Sequence, residues 1–341
     1  MPGDGFYLRR DGVIKMSISA RKMSDNGDLP AVMAIVGPTA SGKSALAAAV
    51  AATVGGEIVN ADSMQCYRGM DIGTAKPSAA ERSALPHHLF DIVAPDEDFT
   101  AAAYSRLARE VIRDIHSRGK IPVVVGGTGL YIRALLSGLA ESPGADNLAR
   151  EEYTGIAERD GNEALHRLLC AVDPLAAARI HPNNRVRIIR ALEVFRQTGR
   201  SITEFQQQHR FGLQWCNYLK IAISVDRKLL YERIDQRVDR MIIEGLVAEV
   251  EALLAAGYPA SLKSLSAIGY REVCAFLAGS QSLPETVELI KRNSRRYAKR
   301  QLTWFNNEND VLWFSQPLVF EDIMKVIDEF LSLDISHRPG C

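Results

Sequence analysis

Cysteine is scarce in this chain of 341 residues: there are five, Cys66, Cys170, Cys216, Cys274 and Cys341, far apart and without a CxxC pair. An odd, dispersed set argues against a disulfide framework or a zinc site and fits a reducing cytoplasm. Net charge is absent too, with 41 basic residues against 41 acidic ones, so any affinity for nucleic acid must come from local clustering. No apolar run approaches the roughly 20 residues of a membrane-spanning helix, and no membrane partner is expected. Nor does the beginning of the chain carry the apolar stretch of a secretory signal. Residues 1–28 are rich in Gly, Ser, Asp, Arg and Lys and are expected to form a disordered tail. Met16 and Met23 lie inside this stretch, so a misassigned start is as much to be expected as a functional tail.

What is present is an ordinary globular composition, 47% hydrophobic and 24% charged, over a length sufficient for two or three structural units. Ala31 to Val36 is an apolar run ending in Gly-Pro, the pattern of a buried parallel strand. An alanine-rich helix is expected over Ser44 to Thr53, then a short strand over Glu57 to Asn60. Thr100 to Gly119 repeats Tyr104, Leu107, Val111 and Ile115 at helical spacing, and Ile121 to Val125 reads as a further strand. This alternation predicts an α/β fold with a parallel sheet. From Asp146 to about Trp215 the pattern turns helical, and Tyr218 to Val225 returns to a strand. Long helices are expected over Arg227 to Ala256, with an internal break, and over Pro284 to Phe305. The expected organisation is a tail (1–28), a P-loop α/β core with C-terminal helices (29–140 and 217–341), and a helical insertion domain (141–216).

Gly37-Pro38-Thr39-Ala40-Ser41-Gly42-Lys43-Ser44 matches G-x-x-x-x-G-K-[ST] where it should lie, after a buried strand and before a helix. Such a loop curls backbone N–H groups around phosphate oxygens at a positive helix end. Lys43 would neutralise the terminal phosphate, and Ser44 would reach a Mg²⁺ cofactor. The pattern admits a nucleotide such as ATP without requiring one. The strand over Ile121 to Val125 ends in Gly126-Gly127-Thr128-Gly129 with no carboxylate, and no guanine-reading Asn-Lys-x-Asp is present. The carboxylate lies instead at Asp62, after the second strand, at the edge where open parallel sheets bind ligands. Spacing alone leaves Asp62 either a metal ligand or proton acceptor, or the cap of a turn. His87 and His88 lack partners at zinc spacing and read as structural.

Two stretches are basic. KRNSRRYAKR (291–300) has six basic residues in ten. On a helix it makes one row from Lys291, Arg295 and Lys299 and another from Arg292, Arg296 and Arg300, with Tyr297 and Trp304 interleaved. Glu288 is the acid close by in sequence, so the rows need a counter-charge, and an RNA backbone with unstacked bases would supply it. The second cluster is Arg179, Arg185, Arg187, Arg190, Arg196 and Arg200, opposed by Glu193. Arg237 lies on a helix with Arg233 and Arg240, which by itself reads as a solvated face paired with Asp235 and Asp239.

GPTASGKS, DSMQCYRGMDIGTAKP, PHHLFDI, VGGTGLY, HPNNRVRIIRALEVF, IGYRE and AKRQLTWF together resemble the bacterial tRNA dimethylallyltransferase family over residues 30 to 315. The resemblance implies transfer of a dimethylallyl group from its diphosphate to N6 of adenine 37, beside the anticodon, in tRNAs with adjacent adenines. It implies Asp62 as general base, Thr39 and the Gly37 to Ser44 loop as the dimethylallyl diphosphate site, and Arg237 beside the leaving diphosphate. It implies anticodon stem-loop contacts at Asp62, Ser63, Met64, Gln65, Thr128 and Arg150, and at Val186, Arg187, Ile188, Ile189 and Arg190. Ser266 to Arg271, including Gly269, Tyr270 and Arg271, would also contact the RNA, as would Lys299 to Asn306, including Arg300, Gln301 and Trp304. Ser294-Arg295-Arg296-Tyr297 stands where relatives often carry Thr-Arg-Gln, so the contact there passes to Arg295 and not to Arg296. A monomer is expected. The competing readings are a P-loop kinase, an isopentenyltransferase acting on free adenine nucleotides, and a non-catalytic RNA-binding P-loop module.

Overall fold

The computed structural model of the chain describes residues 6–9, 12–15, 29–139, 143–208 and 215–335. Two short strands, β1 (Phe6–Arg9) and β2 (Gly12–Lys15), pair antiparallel within the stretch expected to be a tail. The chain divides into one unit formed by residues 1–136 and 214–341 and a second formed by 137–213.

The larger unit is built on six strands: β3 (Ala31–Val36), β4 (Glu57–Asn60), β5 (His87–His88), β6 (Pro122–Gly126), β7 (Asn217–Ser224) and β8 (Val311–Ser315). They pair in parallel in the order β5-β4-β6-β3-β7-β8. All six residues of β3 are buried, as a strand covered on both faces requires. Its side chains alternate between two apolar layers. Val32, Ala34 and Val36 face a layer containing Tyr104, Ile112, Tyr270 and Phe305. Met33 and Ile35 face the other, against Leu46 and Val50 of the helix Lys43–Val54 and Ile323 and Ile327 of the helix Phe320–Ile335. Truncating Ile35 to alanine would open a cavity here, at a cost of about 2–5 kcal/mol.

Two edge strands not expected from the sequence complete the sheet: β5, only two residues long, and β8, which pairs with the distant β7. The break expected in the long helix falls at Glu244-Gly245, where Gly245 has φ 103° and separates Arg227–Ile243 from Leu246–Ala255. The helix Leu283–Asn306 starts on a capping box in which Ser282 accepts from Glu285 N–H and the Glu285 carboxylate accepts from Ser282 N–H.

The smaller unit holds the helices Asn147–Asp160, Asn162–Val172, Pro174–Ala177, Arg185–Thr198 and Ile202–Gln208 around Leu165, Leu169, Ile188 and Leu192. Glu193, fully buried, ties it together. Its carboxylate accepts from Asp146 N–H at 2.6 Å, from Arg150 Nε at 2.8 Å and from Arg190 at 2.5 Å. Burial alone would raise its pKa, but these donors hold the group below the usual carboxylate range.

Candidate active site

Because the sheet is parallel, the loops after β3, β4, β6 and β8 all leave from one edge, the edge where ligands bind in open α/β sheets. The loop Gly37–Ser44 follows β3. Gly42 caps the helix Lys43–Val54 with φ 91° and no side-chain cap bond, and the first turn contains no acidic residue. The positive end of that helix is therefore left without an internal counter-charge. Three contacts brace the loop. Gln316, just after β8, donates to Ser41 O at 3.1 Å. Gln301, buried on the helix Leu283–Asn306, accepts from Thr39 N–H and donates to Gly127 O, both at 2.9 Å. Gly127 is required at this approach, since a Cβ there would overlap the Gln301 amide. The buried Ser41 hydroxyl has no hydrogen-bond partner among the described residues.

Asp62 follows β4. Its backbone N–H donates to Asn60 Oδ1 at 2.9 Å, and its own Oδ1 accepts from Met64 N–H at 2.9 Å. It is thus the turn cap that spacing allowed, but that use occupies one oxygen. Asp62 also lies within electrostatic reach of two half-buried cations, Lys43 and Arg237. Desolvation pulls the Lys43 ammonium down to about 8, with Asp62 opposing the shift and Arg237 adding to it. Desolvation likewise lowers Arg237, again against Asp62. Lys43 donates to Pro38 O at 3.3 Å, and Arg237 to Thr74 O at 3.2 Å.

The solvated-face reading of Arg237 is overturned, because its expected acidic partners are used elsewhere. Asp235 pairs with Arg295 at 2.5 Å and Asp239 with Lys291 at 2.7 Å. Two members of one basic row therefore find their counter-charge on the neighbouring helix Arg227–Ile243. The other row stays outside: Arg292, Arg296 and Arg300 are exposed, as is Lys299. Arg300 lies over the Tyr297 ring at 5.5 Å. The Tyr297 hydroxyl is pushed up to about 12 by burial and by Asp62, against the opposing influence of Thr128 and Gln301.

The remaining expected RNA contacts divide by exposure. Ser63 N–H donates to Thr128 Oγ1 at 3.1 Å, and Gln65 donates to Thr74 O and Ala75 O at 3.0 and 3.1 Å. Gln301 and Tyr270 are internal, the latter with its hydroxyl on Glu249 at 2.6 Å. Ile188 belongs to the core of the small unit, and Arg150 and Arg190 grip Glu193. Val186 is 80% exposed, and Arg187 is exposed beside it. Gly269 N–H and Arg271 both donate to Glu272. Trp304 is half-buried under the Arg133 guanidinium at 4.3 Å, with its indole N–H on Glu308 at 3.2 Å. The two histidines are structural: His87 meets Leu85 O, and His88 meets Glu57, which Arg118 also grips.

Pattern reasoning missed Gln301 as a brace, Glu249 and Gln316. Gln316 follows a strand that was not read, and Glu249 sits on an unremarkable amphipathic helix, so neither left a local signal.

This arrangement, an anion-ready loop with a carboxylate set against two desolvated cations, suits displacement of a diphosphate by a nucleophile whose proton the carboxylate takes. A family model described as IPP transferase matches residues 65–308. The chain is 57% identical over 304 residues to a tRNA dimethylallyltransferase of Geobacter sulfurreducens, covering 89% of this chain and 98% of that one. The crystal structure of the full-length tRNA isopentenylpyrophosphate transferase of Bacillus halodurans superposes with a TM-score of 0.65 at 42% identity, covering 90% of this chain and 97% of that one. A eukaryotic dimethylallyltransferase acting on tRNA superposes with a TM-score of 0.74 at 27% identity, covering 89% and 80%. The chain belongs to the IPP transferase family.

Proposed function

We propose that the protein transfers the dimethylallyl group of dimethylallyl diphosphate to N6 of adenine 37, next to the anticodon, in tRNAs with adjacent adenines, releasing diphosphate. The observation that carries the reading is the position of Asp62 against Lys43 and Arg237, beside the Gly37–Ser44 loop. N6 is a weak nucleophile because its lone pair is delocalised into the ring. Its attack forms the bond to the allylic carbon, the carbon–oxygen bond breaks, and the electron pair leaves with the diphosphate. Asp62 orients the amine and takes its proton. Lys43, Arg237 and the N–H groups of the loop from Thr39 to Ser44 bear the charge that grows on the leaving group, which desolvated cations do more effectively than solvated ones.

Among the described residues no cluster of three or more His, Cys, Asp or Glu side chains could hold a metal by itself. The exposed hydroxyl of Ser44, second residue of the loop's helix, suits a Mg²⁺ that takes most of its ligands from diphosphate and water. There Mg²⁺ would supply further charge neutralisation.

The target adenine must leave its stack to reach Asp62. Exposed Lys299, Arg300 and Arg271 of the larger unit, and Arg187 and Val186 of the smaller, offer surfaces for the anticodon stem-loop. Nucleoside mass spectrometry of an unmodified tRNA with adjacent adenines 3′ of the anticodon, incubated with protein, Mg²⁺ and dimethylallyl diphosphate but no ATP, tests the reaction. A dimethylallyladenosine product is expected. Asp62→Ala should abolish it while tRNA binding survives, and substantial turnover by that variant would refute the base.

A further inference from the structure

Glu249 lies outside the loop, the carboxylate and the basic surfaces discussed above, yet it makes an unusually complete set of contacts. Its Oε2 accepts from Asp71 N–H at 2.9 Å and Ile72 N–H at 2.7 Å, and its Oε1 from Gly73 N–H at 3.1 Å and Tyr270 Oη–H at 2.6 Å. Three successive backbone N–H groups converging on one anion form a nest. Here the protein fills the nest with its own side chain. Tyr270, fully buried, closes the arrangement: a Cβ on Gly73 would sit on its ring.

The nest begins a turn whose far end serves the active site. Thr74 O, the next carbonyl, accepts from Arg237 at 3.2 Å and from Gln65 at 3.0 Å, and Ala75 O accepts from Gln65 at 3.1 Å. Lys76 then fixes the turn's exit on Tyr67 O, Asp71 and Asp91. Of these anchors, Glu249 and Tyr270 stand directly before the carbonyl that Arg237 uses.

We propose that Glu249, braced by Tyr270, is a positioning residue for Arg237. It holds the Asp71–Lys76 turn so that Thr74 O aims the guanidinium at the leaving diphosphate. The proposal rests on the reading of Arg237 given above, and it assigns Tyr270 to this clamp instead of to an RNA contact. The link is sensitive because a misplacement of about 1 Å can cost on the order of 100-fold in rate.

The test is a cycle of Glu249→Gln, Arg237→Ala and the double variant in the full chain with Mg²⁺, reading turnover on tRNA and inhibition by inorganic diphosphate. Glutamine keeps the shape but turns an N–H₂ group toward N–H donors. Glu249→Gln is expected to lower turnover roughly 10- to 100-fold and to weaken diphosphate inhibition in parallel. The double variant should be no worse than Arg237→Ala alone, and Glu249→Asp should recover part of both. If Glu249→Gln does not fold, Tyr270→Phe carries the same readouts, with a smaller loss in the same direction. Losses that multiply in the double variant, or wild-type diphosphate inhibition in Glu249→Gln or in Tyr270→Phe, would overturn the clamp. Full activity in Arg237→Ala would instead refute the role of Arg237 on which it rests.

Discussion

Replacing Gln301 by alanine removes one side chain from between two loops and leaves two backbone groups without partners. Gln301 is buried, accepts from Thr39 N–H and donates to Gly127 O, both at 2.9 Å. An unsatisfied buried polar group costs about 1–3 kcal/mol. Gly127 is buried, but Thr39 is only partly so and water would recover some of its loss, which brings the expected destabilisation to about 2–4 kcal/mol. Gln301→Met separates the polar cost from the cavity, because it keeps the volume and loses both bonds. All three tryptophans, Trp215, Trp304 and Trp313, lie in the larger unit, so fluorescence in urea reports that unit alone. Gln301→Met should lose most of what Gln301→Ala loses, and both should weaken inhibition by diphosphate, since Thr39 is no longer held. If Gln301→Met unfolds within about 0.5 kcal/mol of wild type, the ordinary range for surface substitutions, the brace is not a structural element and the reasoning fails.

The Glu57 carboxyl is held at about 2, chiefly by its hydrogen bonds from Arg118. A depressed folded pKa contributes stability above the unfolded value near 4.5 that is lost as pH falls toward 2. The stability gap between wild type and Glu57→Gln should therefore shrink across that window in acid titrations and stay level above it. Glu193→Ala should destabilise the smaller unit by about 2–3 kcal/mol, less than a fully buried ion pair because Arg150 and Arg190 reach solvent. Faster amide hydrogen exchange confined to that unit would show it. Burial pushes the Cys66 and Cys216 thiols up to about 12, so in native protein near neutral pH iodoacetamide should label exposed Cys170 and spare those two, as peptide mass spectrometry would record. The resemblance put the RNA contact at Arg295, but Asp235 holds that side chain while Arg296 is exposed, so Arg296→Ala should lower the slope of log affinity for tRNA against log salt by about 0.7–0.9. Arg295→Ala should leave that slope nearly unchanged, and the reverse result would place the phosphate contact on Arg295.

The central strands and the anion loop were legible because each is a local pattern: β3 is a continuous apolar run, and Gly37–Ser44 combines a fixed spacing with a strand before it and a helix after it. His87–His88 and Val311–Ser315 were not legible as strands. The first is two residues long, and the second owes its place to β7, a partner nearly a hundred residues earlier in the chain. Asp62 lies at the ligand edge, as its place after a strand led one to expect, and Lys43 was legible from the loop motif, but Arg237 could be assigned only through the helix Arg227–Ile243, which periodicity shows as a charged surface. Arg237 and Arg233 look alike in sequence. What distinguishes Arg237 is the Thr74 carbonyl 163 positions away.

The same limit explains the basic helix. In sequence, Lys291–Lys299 and Arg292–Arg300 are two equivalent rows, each repelling itself at i,i+4 spacing. In the fold, Asp235 and Asp239 neutralise Arg295 and Lys291 and leave Arg292, Arg296 and Arg300 outside. Asp235 and Asp239 stand two positions to either side of Arg237 on the same helix, where i,i+2 side chains face apart, so neither cancels its charge. Arg237 instead donates to Thr74 O, a neutral acceptor that orients the guanidinium and leaves its charge for a leaving diphosphate. Helix packing of this kind converts two surface charge patterns of equal rank into a structural set and a chemically available one, and the difference lies in contacts that no single stretch of sequence contains.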